Sequence, residues 1–292
     1  MRGTPYLLRL IIAGATDPTR WFACMNTAVE AGIAPRIRYA NAEDRVLITD
    51  FVEPKPFPDD VVPFIAPTLH TLHSLPNFLP PMMGNYLQTM DGFVSRFQAA
   101  KLLPESETDK LFRSYAAVTK AYPRNGIDLV ASHKDLKPQN MVFDGERIWL
   151  IDWEAAFLND KYVDLAVVAN FLVKDEAHEE EYRSAYFGEP AEEDRRARFY
   201  LMRQSLHLFY AAFLILMAAK AGTTIDADLT APDFKEFHRR LISREEDITT
   251  ADASVVCAKV HLNELRGNLR APRFEETLAR VASNLALGVG QL

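Results

Sequence analysis

Two polar segments, separated by a sequence typical of a tight hairpin, limit what this 292-residue chain can fold into. Residues 133–140 read His-Lys-Asp-Leu-Lys-Pro-Gln-Asn, and residues 151–154 read Ile-Asp-Trp-Glu. Between them, two short apolar runs flank an Asp-Gly pair at residues 144–145, a dipeptide that favours a two-residue hairpin turn. Such a hairpin would bring the two polar segments to the same end of two paired strands. The sequence therefore predicts a small β-hairpin that carries a polar cluster.

The residue types in these segments suit phosphoryl transfer. Residues 133–140 match the kinase catalytic loop H-x-D-x-x-x-x-N, in which the aspartate accepts the proton of the acceptor hydroxyl and the asparagine binds a magnesium ion. Asp135 and Asn140 occupy those positions. Asp152 follows at the end of the hairpin and offers a second hard oxygen ligand. The pattern predicts Asp135 as the catalytic base, Asn140 and Asp152 as Mg²⁺ ligands, and ATP or GTP as the phosphoryl donor.

The same residues resemble the aminoglycoside phosphotransferase and choline/ethanolamine kinase superfamily, whose members carry Asp-Trp-Glu where protein kinases carry Asp-Phe-Gly. The resemblance runs from Tyr6 to at least Val173. It implies an α+β, two-lobed, protein-kinase-like fold with a small β-rich N-terminal lobe and a larger α-helical C-terminal lobe. It favours a small-molecule acceptor over a protein, and it makes Asp164 a structural acid that braces the larger lobe. His133 is expected to hold the loop by hydrogen bonds.

Further site residues are implied by this resemblance. Arg9 lies where kinases have an ATP-contacting lysine and would pair with the α- and β-phosphates, although a plain exposed strand arginine is the other interpretation. Lys137 resembles the protein-kinase lysine that offsets charge on the transferring phosphate, and a solvated loop lysine explains it equally well. The backbone of Asp50, Phe51 and Val52 is expected to form the hinge that hydrogen-bonds the nucleotide base.

A proline-rich segment divides the chain into two predicted lobes. Residues 6–12 are strand-like, and the Asp-Pro pair at residues 17–18 is typical of a helix N-terminus. Residues 53–58 hold three prolines in six positions, which breaks regular structure and indicates a linker. We therefore expect an N-terminal nucleotide-binding lobe over residues 1–52 and an α-rich catalytic and substrate-binding lobe over residues 59–292.

Helical patterns dominate after the linker. They cover residues 61–74, 85–103, 107–121, 163–173, 191–221, 233–245 and 273–286. A capping box over residues 106–109 is expected to open the third of these helices. The exception to the helical pattern is a small sheet, predicted from residues 128–131 together with the hairpin.

Two departures from the superfamily pattern keep a second function open. Five residues precede the first strand, where the superfamily has a β-hairpin with a nucleotide-covering loop, so the N-terminal lobe is expected to lack that hairpin. The first helix carries Trp21, Phe22 and Ala23 in its early turns in place of a glutamate, so the usual ion pair to Arg9 is not expected. The alternative function is a catalytically weak or inactive kinase-like binding protein.

The composition and charge of the chain limit the classes of partner and the location that it is expected to have. The net charge is −7 and no basic run is longer than a pair, so the sequence predicts no nucleic acid partner. Two cysteines, Cys24 and Cys257, stand outside metal-binding spacings and fit a reducing, cytoplasmic location. Residues 206–219 are apolar but shorter than the ~20 residues of a membrane span, which predicts a core helix and no membrane insertion.

The acceptor remains open at this stage. Aromatic residues of the second half could line a pocket for a quaternary ammonium group, as in choline. Acidic residues such as Glu154, Asp160 and residues 179–181 could meet an aminosugar, although such runs more often form a solvated face. The predicted partner is a small-molecule alcohol, with cationic amino alcohols and aminosugars among the candidates, and the sequence does not set the oligomeric state.

Overall fold

A computed structural model describes residues 5–12, 17–76, 78–79, 86–124, 129–243, 245–246 and 248–289. The chain forms two compact units. The first unit comprises the described parts of residues 1–83 and 128–191, and the second unit comprises those of residues 84–127 and 192–292. All of the predicted site residues belong to the first unit. The functional lobes proposed over residues 1–52 and 59–292 are a different division and stay a prediction.

Seven strands and ten helices are assigned in the described part of the chain. The strands are β1 (Tyr6–Leu10), β2 (Ile37–Asn41), β3 (Val46–Asp50), β4 (Leu129–Ser132), β5 (Met141–Phe143), β6 (Ile148–Leu150) and β7 (Phe157–Asp160). The helices are α1 (Pro18–Glu30), α2 (Val62–His73), α3 (Tyr86–Ala100), α4 (Glu105–Ala121), α5 (Lys161–Leu172), α6 (Glu176–Phe187), α7 (Glu193–Lys220), α8 (Phe234–Ile242), α9 (Ala251–Asn268) and α10 (Pro272–Val289).

The first unit opens with an antiparallel sheet in the order β1-β3-β2 and one helix. β1 places Arg9 opposite Leu47 of the central strand. α1 begins as predicted, because the carboxylate of Asp17 accepts the N–H of Thr19 at 3.0 Å and Pro18 fills the first helical position. The buried face of α1 includes Trp21. The predicted strand–helix–strand opening is therefore confirmed.

The predicted hairpin also forms. β5 and β6 pair antiparallel, with Met141 opposite Leu150, and Gly145 adopts a positive φ of 102° at the turn. The side chain of Asp144 fixes this turn by accepting the N–H groups of Glu146 and Arg147 at 2.8 and 2.9 Å.

The predicted composition of the small sheet is wrong. β4 pairs with β7, whereas the hairpin forms a separate two-stranded pair. β7 was missed because it is a four-residue strand that ends in two polar residues, Asn159 and Asp160, and its partner lies about thirty positions earlier in the chain.

The second unit is helical and is built around α7, which contacts α3, α4, α9 and α10. Among the described helices, α7 is the one that is long and apolar enough to cross a membrane by length and composition. Within the fold, 67% of its apolar window is buried, as in a core helix. The cytoplasmic location stays a prediction from the sequence.

One predicted helix start is wrong. α4 begins at Glu105 with Pro104 at the N-cap and no side-chain cap, so Ser106 lies inside the first turn and does not close a capping box. Proline is tolerated at this position because its fixed φ is compatible with a helix start. Two predicted element starts, at Asn85 and Asp128, fall outside the described residues.

Candidate functional site

The catalytic-loop sequence places three side chains in direct contact. The 3₁₀ turn Pro138–Asn140 brings Asn140 back toward Asp135, and the amide Nδ2 of Asn140 donates to the carboxylate Oδ2 of Asp135 at 2.7 Å. The same amide donates to the Asp135 carbonyl at 2.8 Å. Lys137 Nζ also reaches Asp135 Oδ2, at 2.8 Å. Asp135 therefore accepts hydrogen bonds from two side chains through one carboxylate oxygen.

Asp164 holds the start of this loop through several hydrogen bonds. Its carboxylate is fully buried and accepts the Ser132 hydroxyl at 2.9 Å and the backbone N–H groups of His133 and Lys134 at 2.9 and 2.6 Å. His73 adds its Nε2 at 3.2 Å. Burial opposes ionisation, yet the His73 contact and the neighbouring N–H donors hold the pKa of Asp164 below its ordinary value.

His133 joins the loop to the hairpin. Its ring is buried, its Nε2 donates to the Ile151 carbonyl at 2.9 Å, and its ring packs edge-on against Trp153. Burial lowers the pKa of His133, so the ring is neutral at physiological pH. A neutral, buried imidazole with a backbone partner is a positioning group, as expected for this residue.

Asp152 reaches the same region from the end of β6. The N–H of Ile151 donates to the carbonyl of Asn140 at 3.0 Å, so the backbone next to Asp152 is bonded to the backbone of Asn140. Asp152 itself takes a left-handed conformation, with φ 66° and ψ 64°. Among non-glycine residues, aspartate tolerates this region comparatively well, and such backbone strain is concentrated at functional sites.

Arg9 bridges two carboxylates at this point. Its Nη1 pairs with Asp152 Oδ1 at 2.9 Å, and its Nη2 pairs with Glu154 Oε1. The guanidinium lies 5.6 Å from the ring centre of Trp21 in α1. Glu154 was considered only for aminosugar binding, although its place two residues after Asp152, in the same polar motif, was a signal for this role.

Lys134 is an unexpected feature of the loop. This residue precedes Asp135, takes a φ of 65°, and is only 4% exposed. Burial lowers the pKa of its amine to about 6. Because Lys134 donates its backbone N–H to Asp164, its backbone conformation belongs to the bracing of the loop.

The predicted hinge residues follow β3. The side chain of Asp50 is paired with Arg38, and the backbone N–H groups of Asp50 and Phe51 already donate to the carbonyls of Arg36 and Pro5. The three hinge residues help line a cavity of about 570 Å³. Its other lining residues come from the end of α1, the start of β2, the linker and the hairpin tip: Val29, Gly32, Ala34, Pro35, Arg36, Glu53, Lys55, Asp144 and Trp149.

The donor set suits a magnesium ion. Magnesium prefers carboxylate and amide oxygens, and it is usually held by one or two carboxylates together with substrate phosphates. Asp152 offers a carboxylate, and Asn140 offers its amide oxygen because its amide nitrogen is committed to Asp135. No cluster of three or more His, Cys, Asp or Glu suited to a metal occurs among the described residues. The arrangement fits a metal that is bound jointly with phosphates and does not resemble an all-protein cage.

These features define a kinase-like fold: a small antiparallel sheet with one helix, a catalytic loop braced by a buried acid, and a hairpin that ends in Asp-Trp-Glu. A family model described as "Phosphotransferase enzyme family" matches residues 2–200. The chain belongs to this family. A search of curated protein sequences gave no match.

Solved structures share the fold. A choline/ethanolamine kinase family protein from Mesorhizobium loti aligns with a TM-score of 0.70 at 18% identity, over 97% of this chain and 88% of its own. The choline kinase LicA from Streptococcus pneumoniae gives 0.56 at 17% identity, over 82% and 84%. A streptomycin–ATP–APH(2")-IIa ternary complex gives 0.51 at 14% identity, over 86% and 87%. These identities confirm the kinase-like fold alone.

Proposed function

We propose that this chain transfers the γ-phosphoryl group of ATP to a hydroxyl group of a small molecule. The observation that carries the proposal is the hydrogen-bond contact between Asp135 and Asn140 on one loop, with Asp152 next to Ile151, whose N–H donates to the carbonyl of Asn140. Membership of the phosphotransferase family supports it. A base for the acceptor hydroxyl and oxygen ligands for a phosphate-bound metal are the groups that this chemistry requires.

Each residue has a distinct role in the proposal. Asp135 orients the acceptor hydroxyl and takes its proton, using the carboxylate oxygen that faces away from Asn140 and Lys137. Asn140 and Asp152 would hold Mg²⁺, which would offset the negative charge of the phosphates. Lys137, 2.8 Å from the base, is positioned to offset charge on the transferring group. Arg9 supplies a planar guanidinium for the other phosphates.

The base of the nucleotide is proposed to bind at the hinge. Because the N–H groups of Asp50 and Phe51 are already used within the protein, Val52 is the hinge residue whose N–H we assign to the base. ATP is proposed over GTP since one structural relative was solved with ATP. The acceptor is proposed to be a small alcohol, and choline, ethanolamine and aminosugars form the first test panel because of the relatives' printed substrates.

The deciding experiment measures ATP consumption by the purified chain with this acceptor panel, with and without Mg²⁺. We expect turnover with at least one acceptor and a loss of about 10³-fold or more in Asp135→Asn, with an unchanged melting temperature. Asp59→Asn, an exposed acid of the same unit, is the matched control. Turnover that survives in Asp135→Asn would remove the base assignment.

A second candidate function is a kinase-like binding protein without transfer activity. The observation in its favour is that Arg9 occupies the carboxylate of Asp152. Such a protein would bind ATP without consuming it, or would not bind ATP. Thermal unfolding separates the cases, because a ligand that binds only the folded chain raises the melting temperature. A shift with Mg²⁺ and ATP, without turnover across the acceptor panel, would favour the binding protein.

A further inference from the structure

The contacts of Arg9 raise a question that the proposed roles leave open. The guanidinium of Arg9, proposed to bind the phosphates, is paired in this structure with Asp152, the carboxylate proposed to bind the metal. Asp152 and Glu154 are the two carboxylates involved, and among the described residues Arg9 is the cation paired with each. The three side chains are about one-third exposed, so ions from solvent can reach them.

We infer that Arg9 is the internal counter-cation of the metal site, that it competes with a divalent cation for Asp152, and that Glu154 anchors it during the exchange. The inference rests on the proposed function, because it concerns the residues toward Mg²⁺ and nucleotide. It assigns Glu154 a positioning role that the sequence did not predict.

The first support is the geometry of the fork. Arg9 uses two different nitrogens, Nη1 for Asp152 and Nη2 for Glu154. The planar guanidinium holds both contacts at once, since its N–H groups point along fixed directions. One contact can therefore break while the other persists. Withdrawal from Asp152 leaves the arginine tethered beside the site through Glu154.

The second support is that α1 carries no acid in its early turns, where Trp21 stands; its one acid, Glu30, is its last residue. α1 presents the indole ring of Trp21 to the guanidinium, 5.6 Å from the ring centre, and Trp21 and Phe22 are buried. An aromatic face can stack on an arginine but cannot replace a carboxylate as its ion-pair partner. Glu154 is thus the acid that keeps Arg9 in place once Asp152 binds another cation.

The third support is charge balance. Two carboxylates two residues apart on one turn repel each other unless a cation lies between them. Arg9 supplies one positive charge, and a divalent cation supplies two at the same oxygen atoms. Two cations at one carboxylate repel each other, so a metal at Asp152 weakens the contact with Arg9. Binding of a divalent cation therefore frees Nη1, and an anionic phosphate is the partner that this nitrogen then suits.

The test uses Mn²⁺ as the probe and measures its affinity for the nucleotide-free full-length chain by electron paramagnetic resonance. We expect Arg9→Met to bind Mn²⁺ about tenfold more tightly than the parent chain, because the competing cation is gone. The same variant should bind ADP in the presence of EDTA about tenfold more weakly. Opposite signs for the metal and the nucleotide are the signature of a competing counter-cation.

Three further variants complete the experiment. Arg9→Lys, with a single ammonium that cannot fork across both acids, should bind Mn²⁺ with an affinity between those of the parent and Arg9→Met. Glu154→Gln should weaken ADP binding in EDTA nearly as much as Arg9→Met, because the anchor is lost. Arg113→Met, which removes an exposed arginine of α4 that pairs with Asp109 of the same helix, should leave both affinities unchanged.

An unchanged or weakened Mn²⁺ affinity in Arg9→Met would overturn the inference. If Arg9→Met fails to fold, Arg9→Lys decides, and parental Mn²⁺ affinity in that variant overturns the inference equally. The outcome is separable from that of the proposed function, since these affinities are measured without acceptor and without turnover. Tighter Mn²⁺ binding in a chain that transfers no phosphate would uphold the counter-cation and remove the transferase.

Discussion

Lys134 buries a cationic side chain immediately before the proposed base. Its φ of 65° is costly for a residue with a Cβ, and its amine is taken out of water. The hydrogen bond from the N–H of Lys134 to Asp164 fixes the backbone of this residue. The backbone conformation is therefore kept although it buries the amine. A buried amine with a pKa of about 6 makes the stability of the chain depend on pH in a defined direction.

The prediction concerns Lys134→Met, which keeps most of the volume and removes the ionisable group. Between pH 6 and 10.5 the unfolded chain holds a proton on this amine that the folded chain lacks, so the stability of the parent rises with pH across that range. At pH 7 the difference in pKa between the unfolded and folded chains should make the variant more stable by about 4–5 kcal/mol, and this difference should shrink to about 1 kcal/mol near pH 10. Urea unfolding at pH 7 and pH 9.5 measures both values. A difference that is the same at both pH values would contradict the prediction.

Asp164 stabilises the folded chain, whereas the buried amine of Lys134 destabilises it. The buried carboxylate of Asp164 accepts four hydrogen bonds, two of them from backbone N–H groups. Asp164→Asn puts an amide where one oxygen must accept several donors, and we expect it to cost about 3 kcal/mol in the free energy of unfolding. Urea unfolding checks this value. Asp59→Asn should remain within about 0.5 kcal/mol of the parent, and an equal cost in both variants would refute the bracing role.

At the scale of elements, the β5–β6 hairpin connects its turn to both proposed metal ligands. Its two strands have three residues each, with Asn140 directly before one and Asp152 two positions after the other. Gly145 has a φ of 102°, and a Cβ on it would lie 2.7 Å from Lys55 Nζ and 3.0 Å from its Cδ. A turn distorted at this glycine would therefore alter the strands that position both ligands.

We predict that Gly145→Ala destabilises the chain by about 1–2 kcal/mol, because alanine at this φ is strained and crowds Lys55. The control substitution is Gly92→Ala in α3, where a Cβ would meet nothing within 4 Å. There alanine should stabilise by up to about 1 kcal/mol, since glycine is a poor helix former. Chemical unfolding of both variants tests the pair, and a shift of the same sign in both would count against this account.

Elements with a clear local pattern were predictable, and those stabilised by distant partners were not. The Asp-Pro start of α1 and the Asp-Gly turn of the hairpin are local signals, and both elements formed. α6 was missed because Glu179 and Arg183, which a periodicity argument assigns to a solvated face, are both buried and paired with each other. α9 was missed because residues that contact other helices of the second unit are distributed around it.

The same limit applies to the site. The loop from His133 to Asn140 was predicted from spacing, because the contacts of Asp135 with Lys137 and Asn140 lie within a few residues. The partners of Arg9 lie 143 and 145 positions further along the chain, so the sequence around Arg9 does not indicate them. The first helix has no glutamate in its early turns, so an ion pair between that helix and Arg9 was not expected. The fold provides Asp152 and Glu154 instead.

At the scale of the whole molecule, the two units differ in the groups that make them sensitive to acid. The second unit buries three histidines from three helices, His207 on α7, His238 on α8 and His261 on α9. His207 and His261 approach to 3.1 Å between their Nδ1 atoms, and the ring of Phe234 packs against all three imidazoles. These rings form part of the core together with the apolar residues of α8 and α9.

The surroundings of this cluster favour neutral imidazoles. Burial lowers the pKa of His238 to about 4 and lowers the pKa values of His207 and His261 well below 6.5. The positive charge of Arg203 acts in the same direction on His207. Lys259 of α9 is also nearly buried, and its amine pairs with Asp226 at 2.9 Å. A proton on any of these rings would add charge to an apolar core.

The last prediction follows from the sign of these shifts. Below pH 6.5 the unfolded chain takes up protons on these histidines that the folded chain does not bind until about pH 4 for His238, so stability falls as the pH decreases through that window. From pH 7 to pH 5 His238 should remove about 2 kcal/mol from the free energy of unfolding. His238→Leu should reduce the total loss by that amount, as measured by urea unfolding at both pH values with circular dichroism, since the second unit is helical. A loss between pH 7 and pH 5 that is identical in the parent and in His238→Leu would show that the ring is already protonated in the folded chain or hydrated in its core.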